Sequence, residues 1–137
     1  MTTKERYDAI VIGASQAAVP LSTTLARARW KTALIEREHV GSTCVNEGCA
    51  PTKTMVASAR VAYLARRADD YGVQTSPVTV DMARVRQRKR DIVDSFRNGS
   101  QRRIENTEGL DLLMGEASFA SPKSAESLNN LFMTLNE

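Results

Sequence analysis

From Asp8 to Glu36 the chain passes through a short apolar run, a glycine turn, a helix-compatible stretch and a second apolar run closed by an acid. Asp8-Ala9-Ile10-Val11-Ile12 has the character of a strand buried in a parallel sheet. Gly13-Ala14-Ser15-Gln16-Ala17-Ala18 follows, and Val19 to Trp30 is helix-compatible provided that Pro20 sits in the first turn. Thr32-Ala33-Leu34-Ile35 is the next strand candidate, ending at Glu36. Strand, tight turn, helix, strand and acid in that order make a dinucleotide-binding unit. In such a unit the turn and the helix N-terminus offer backbone N–H groups to a pyrophosphate, and the acid accepts hydrogen bonds from a ribose. The fold class that follows is α/β, Rossmann-like, with a parallel sheet and flanking helices.

The turn departs from the G-x-G-x-x-G/A pattern. It has Gly13, then Ser15, then Ala18. Ala18 satisfies the third position, but the second glycine lets the backbone approach the pyrophosphate closely, and the Ser15 Cβ stands in that space. Taken alone, the turn serves equally well as a nucleotide site or as a plain strand–helix connection.

The chain has only two cysteines, five positions apart in Gly41-Ser42-Thr43-Cys44-Val45-Asn46-Glu47-Gly48-Cys49-Ala50-Pro51-Thr52-Lys53. A disulfide needs Cα atoms roughly 4.4–6.8 Å apart, whereas residues i and i+5 of a regular helix stand on the order of 8–9 Å apart. Pairing Cys44 with Cys49 therefore requires non-helical backbone between them, which Gly48 makes accessible. The closed loop would be tiny and its entropic contribution to stability small, so the pair suits redox chemistry better than stapling. Pro51 fits a first helical turn, and the Ala-rich run Thr54 to Ala68 continues a helix. Cys49 then lies at a helix N-terminus, where the dipole favours a thiolate, with Lys53 one turn further on the same face. Two inert buried thiols are the plainer alternative.

Gly-x-Thr-Cys-Val-Asn-x-Gly-Cys-x-Pro-Thr-Lys resembles the redox-disulfide signature of the flavin-dependent class I pyridine nucleotide-disulfide oxidoreductases, which include dihydrolipoamide dehydrogenase, glutathione reductase and mercuric reductase. Pro51-Thr52-Lys53-Thr54 and Val56-Ala57-Ser58-Ala59-Arg60 look closest to the mercuric reductase-like branch. The resemblance extends from Tyr7 to about Pro122. It implies an N-terminal FAD-binding part, with cofactor contacts from Gly13, Ala14, Ser15, Gln16, Ala17, Ala18, Glu36, Ser42, Thr43, Lys53, Glu116 and Ala117. Ser42 stands where the family usually has the second glycine of Gly-Gly-Thr-Cys. Cys49 would be the flavin-proximal thiolate, Cys44 the interchange thiol, and Lys53 a cation near the flavin. Electrons would pass from NAD(P)H through FAD to the Cys44–Cys49 disulfide and on to a disulfide or a metal-ion substrate, with no resident metal.

With 137 residues the chain has room for one domain with a real core. The family's NAD(P)H-binding and dimerisation domains do not fit within it, and NAD(P)H and the homodimer are expected only of the full-length family. So is the histidine–glutamate pair of the partner subunit. The sole histidine, His39, reads as an exposed loop residue. Gly109 to Gly115 reads as a strand, with the next element starting at Glu116-Ala117-Ser118-Phe119. The FAD-binding domain is expected over 1–122, C-terminally truncated. Residues 123–137 show no sustained period-2 pattern and are expected to form an irregular tail, leaving the sheet without its closing strand. A truncated remnant that holds no flavin is the alternative reading.

Asp81 to Glu108 has helical spacing, with Asp81 as N-cap, an apolar stripe of Met82, Val85, Ile92 and Phe96, and a possible break at Gly99. Eight basic side chains from Arg84 to Arg103 spread around it with Asp91 and Asp94 among them, which argues for a solvated face rather than a nucleic-acid stripe. The net charge of +3 demands no nucleic-acid partner. No segment approaches the ~20 apolar residues of a membrane span. Met1 to Tyr7 leads into the first strand without an apolar signal core, pointing to the cytoplasm, where a disulfide is more often catalytic than structural.

Overall fold

Two sheets share the chain in the computed structural model, which describes residues 3–127 and 131–135. Strands β1 (Thr3–Tyr7) and β2 (Ala9–Ile12) are separated by a bend at Asp8. There the Asp8 and Ala9 N–H groups both donate to Lys31 O, while Asp8 Oδ2 accepts from Lys31 N at 2.8 Å. Beyond the bend, β2 joins a three-stranded parallel sheet in the order β2-β3-β4, with β3 (Thr32–Glu36) in the middle and β4 (Leu110–Met114) outside. Helix α1 (Ala18–Arg27) makes the crossover from β2 to β3, as the sequence order requires, with Pro20 in its first turn. It ends where Arg29 takes a left-handed φ of 67°.

The central strand shows how strand alternation builds two cores. All five residues of β3 are buried. Leu34 points to one face and packs with Ala18, Val19 and Ala26 of α1, together with Ile104 and Leu110. Ala33 and Ile35 point to the other face, against Tyr7, Ala125 and Met133 of the second sheet. Each fully buried Leu or Ile contributes roughly 1.5–3 kcal/mol, so β3 fixes the strand ends around which the site is built.

Helix α4 (Met82–Glu105) is capped as the sequence suggests, Asp81 Oδ1 accepting from the Ala83 and Arg84 N–H groups at 2.9 and 3.1 Å. It runs through Gly99 without a break. Its buried residues are Val93 and Ile104, whereas Met82 and Phe96 of the anticipated stripe are exposed, so the core-facing side is rotated from that stripe.

The irregular tail expected over 123–137 is corrected over 124–127 and 131–135, which are strands, while 128–130 and 136–137 lie outside the described residues. Strands β5 (Ala117–Ser121), β6 (Ser124–Ser127) and β7 (Leu131–Leu135) form an antiparallel run, and β7 pairs in parallel with β1 to give the order β1-β7-β6-β5. Strand β7 thus completes the second sheet against β1, whereas among the described residues the parallel sheet remains β2-β3-β4, with β2 and β4 at its edges. The three strands are only four or five residues long, and β5 and β6 are built largely of Ser and Ala, so no sustained period-2 pattern marks them. Pairing and the burial of Ala125 and Met133 define them. The segment from Met1 to Tyr7, read only as a lead into the first strand, contributes β1 itself over Thr3–Tyr7.

Candidate functional site

At the C-terminal ends of β2, β3 and β4 four hydrogen bonds tie distant residues together. Gly13, with φ 90°, donates its N–H to Ile35 O at 2.7 Å. The buried Ala14 donates its N–H to Glu36 Oε2 at 2.9 Å and accepts from Gly41 N at 2.8 Å. Gly115 N donates to Glu36 O at 2.8 Å. The turn, the acid, the start of the cysteine segment and the residues before β5 thus meet at the edge where open α/β sheets bind ligands. Glu36 is 9% exposed, and its Oε1 also accepts from Glu38 N, yet each carboxylate oxygen keeps a lone pair for a hydroxyl.

Ser15 uses its side chain locally, Oγ accepting from Ala18 N at 3.3 Å. The hydroxyl thereby occupies one N–H at the start of α1. Gln16 and Ala17 are exposed and their N–H groups have no protein acceptor among the described residues. Two free donors beside a positive-φ glycine fit a pyrophosphate, although more tightly than a second glycine would allow.

Gly41 has φ 97°, and a Cβ there would stand 2.7 Å from Val45 Cβ and Cγ2, so this turn accepts only glycine. Ser42 follows at φ 52°, a left-handed conformation that glycine adopts far more readily. Helix α2 (Ser42–Asn46) carries Cys44, and α3 (Cys49–Arg66) begins on Cys49. Between them Glu47 N and Gly48 N both donate to Thr43 O, at 2.9 and 2.7 Å. That sharp turn supplies the non-helical break the cysteine spacing requires. Both cysteines are free thiols, Cys44 half-buried and Cys49 exposed. The side-chain hydrogen bond to Cys49 raises the Cys44 pKa above its ordinary value, and desolvation adds to the rise, while the Lys53 charge works against it. Lys53 itself is exposed.

Three residues that sequence reasoning left without a role hold this segment in place. Asn46 Nδ2 donates to Val40 O and Ser42 O at 3.2 and 2.8 Å, and its Oδ1 accepts from Arg97 Nε of α4 at 2.8 Å. Arg88, also on α4, donates to Thr54 O of α3 at 3.1 Å. Two of the basic residues on α4 are thus spent on the cysteine-bearing helices. A partner fifty-one positions away leaves no local signal, so only the fold could reveal Arg97.

The remaining candidates lie around the same edge. Thr43 is exposed beside Ser42, and both line a cavity of about 210 Å³ with Glu36, Arg37, Glu38, His39, Asn46 and Glu47. Glu116 is exposed and Ala117 half-buried, next to Gly115 and thus close to Glu36 along the backbone. His39 is exposed, its carbonyl accepting from Ser42 N. A larger cavity of about 640 Å³ lies between Ala26–Lys31 and Asn106–Gly109, at the N-terminal ends of β3 and β4. It is the wrong end of a parallel sheet for the nucleotide unit, so the smaller cavity is the relevant one. Among the described residues no helix is long and apolar enough to cross a membrane.

The sequence profile described as pyridine nucleotide-disulphide oxidoreductase matches residues 7–132. A mercuric reductase of Bacillus cereus is 35% identical over 124 residues, covering 90% of this chain and 20% of that protein. A dihydrolipoyl dehydrogenase of Chlamydia muridarum is also 35% identical over 124 residues, covering 90% of this chain and 26% of its own length. The chain therefore spans a fifth to about a quarter of the relatives it matches. Among solved structures, the Cu(II) complex of the HOCl-induced flavoprotein disulfide reductase RclA from Escherichia coli superposes with a TM-score of 0.79 at 30% identity, covering 96% of this chain and 28% of that one.

Proposed function

The chain belongs to the pyridine nucleotide-disulphide oxidoreductase family, and from that premise we propose that Cys44 and Cys49 form its redox-active pair. FAD would lie at the 13–18 turn, and the electrons would come from NAD(P)H and pass to a small disulfide or a thiophilic metal ion such as mercuric ion. The observation that carries the reading is the pair itself: two free thiols on either side of the Gly48 break, on a segment tied to the nucleotide turn through Gly41 N and Ala14 O.

Gln16 and Ala17 would offer their free N–H groups to the pyrophosphate, Glu36 would take the ribose hydroxyls, and Ser42, Thr43, Lys53, Glu116 and Ala117 would contribute around the same edge. A flavin held there would supply the two electrons that return the disulfide to the dithiol. The chain's own chemistry is thiol–disulfide exchange. The Cys44 thiolate attacks one sulfur of the substrate disulfide, forming a mixed disulfide and releasing one thiolate. The Cys49 thiolate then attacks Cys44 Sγ, closing the Cys44–Cys49 disulfide and releasing the second. Two electrons leave the dithiol and enter the substrate. Lys53 stabilises negative charge developing on the pair. A cytoplasmic setting belongs to the same proposal, since a reducing compartment keeps such a pair cycling.

One observation favours a second reading, a fold that holds no flavin. Ser15 and Ser42 both stand at glycine positions of the family pattern, the first occupying the Ala18 N–H and the second carrying a left-handed φ. Gel filtration followed by a visible absorption spectrum, before and after dithionite, separates the two. The first reading expects co-eluting flavin, bleached on full reduction and showing a long-wavelength shoulder on partial reduction. A protein that stays colourless after incubation with FAD overturns it in favour of the second.

A further inference from the structure

We propose that Arg97 of α4, acting through the side-chain amide of Asn46, is the positioning residue that holds Cys44 in register with Cys49. This rests on the reading of the two cysteines as an exchanging pair. Helix α2 has only five residues, too few to be stable alone, and a single buried residue, Val45. It begins at the left-handed Ser42, so its own backbone does not favour the observed conformation. Asn46 compensates. Its amide nitrogen clamps the Val40 and Ser42 carbonyls on either side of the Gly41 turn, and its oxygen is held by Arg97 Nε. The Arg97 side chain is 27% exposed, and its Nη1 lies 3.7 Å from Asp94 Oδ1 one turn earlier on α4. The chain of contact is continuous: Asp94, Arg97, Asn46, then the helix that carries Cys44 two positions before Asn46.

The consequence is geometric. A disulfide tolerates only a narrow range of Cα separations, so a loosened α2 lowers the effective concentration of one thiol at the other. Charge acts the opposite way. Removing a cation near two thiols disfavours their thiolates, which favours the disulfide and drives the potential down. Loss of positioning disfavours the disulfide and drives the potential up. The sign separates the two.

The test equilibrates the full chain with mixtures of reduced and oxidised glutathione, which accepts or donates the two electrons, and counts the Cys44–Cys49 disulfide by quenched alkylation and mass spectrometry. For Arg97→Met we expect the oxidation equilibrium constant to fall about tenfold, a rise in potential of roughly 30 mV for a two-electron couple. Arg102→Gln, which removes an exposed charge of the same helix, should stay within about twofold of the parent. If Arg97→Met fails to give the parent's circular dichroism spectrum, Arg97→Lys carries the test, since it keeps the charge and the stem but lacks the Nε donor; a fall in the same direction is expected. A potential that is unchanged or lowered in the folded variant overturns the positioning role while leaving the cysteine pair intact. A parent chain that forms no intramolecular disulfide overturns the pair, and this inference with it.

Discussion

The turn at Gly13–Ala18 and the turn at Gly41–Asn46 each carry a serine where a glycine belongs to the family pattern, and the structure treats the two serines in opposite ways. Ser15 has no positive φ, and its hydroxyl accepts from Ala18 N at 3.3 Å, so the side chain is put to use at the start of α1. Ser42 sits at φ 52° with its carbonyl, not its hydroxyl, engaged by Asn46. One replacement is absorbed by a local hydrogen bond and obstructs only a ligand. The other leaves strain in the backbone that the surroundings must hold. A motif mismatch therefore has no fixed meaning: what matters is whether the position needed glycine for its φ or for the room above it.

The comparison is broken most severely at Gly41, which needs glycine on both counts. Gly41→Ala would place a Cβ 2.7 Å from Val45 Cβ at φ 97°, and because that Cβ is fixed by the backbone no rotamer relieves it. A loss of about 3 kcal/mol is expected in urea unfolding. A loss below ~1 kcal/mol would show that the cysteine turn is pliable, removing the basis for strain at Ser42. Ser42→Gly sharpens the same point with the opposite sign. Relief of the left-handed φ gains about 1–2 kcal/mol, offset by the greater freedom of glycine in the unfolded chain, for a net gain of about 0.5–1 kcal/mol. A destabilised Ser42→Gly would mean that the serine side chain contributes something its hydrogen bonds do not reveal.

Legibility in the sequence followed the range of the interactions. The Asp8–Glu36 unit, the break at Gly48 and the Asp81 cap were readable because each is specified within a few residues by φ requirements, hydrophobic runs or a capping side chain. The orientation of α4 was not readable, because its face is chosen by Ile104 packing with Leu34 rather than by the strongest local stripe. The strands β6 and β7 were missed for the same reason: Ala125 and Met133 are buried against Tyr7 and Ile35, residues about ninety or more positions away. At the site, Cys44, Cys49 and Glu36 announce themselves by type and spacing, whereas Asn46 shows its value only when Arg97 arrives from α4.

The smallest expected effect separates the two serines most sharply. Ser15→Gly removes the acceptor for Ala18 N and adds backbone freedom, which together should cost about 0.5 kcal/mol of stability, against a gain for Ser42→Gly. The same change frees one helix N-terminal donor and the space that a Cβ takes from a pyrophosphate, so FAD affinity should improve by about fivefold, the value of roughly one hydrogen bond. Fluorescence titration with FAD alongside urea unfolding reads both quantities on one sample. Stability and affinity must move in opposite directions for Ser15 to be a residue that serves the helix at the expense of the ligand. If both fall, the hydroxyl contributes to binding directly, and the free N–H groups of Gln16 and Ala17 are not the principal anchors.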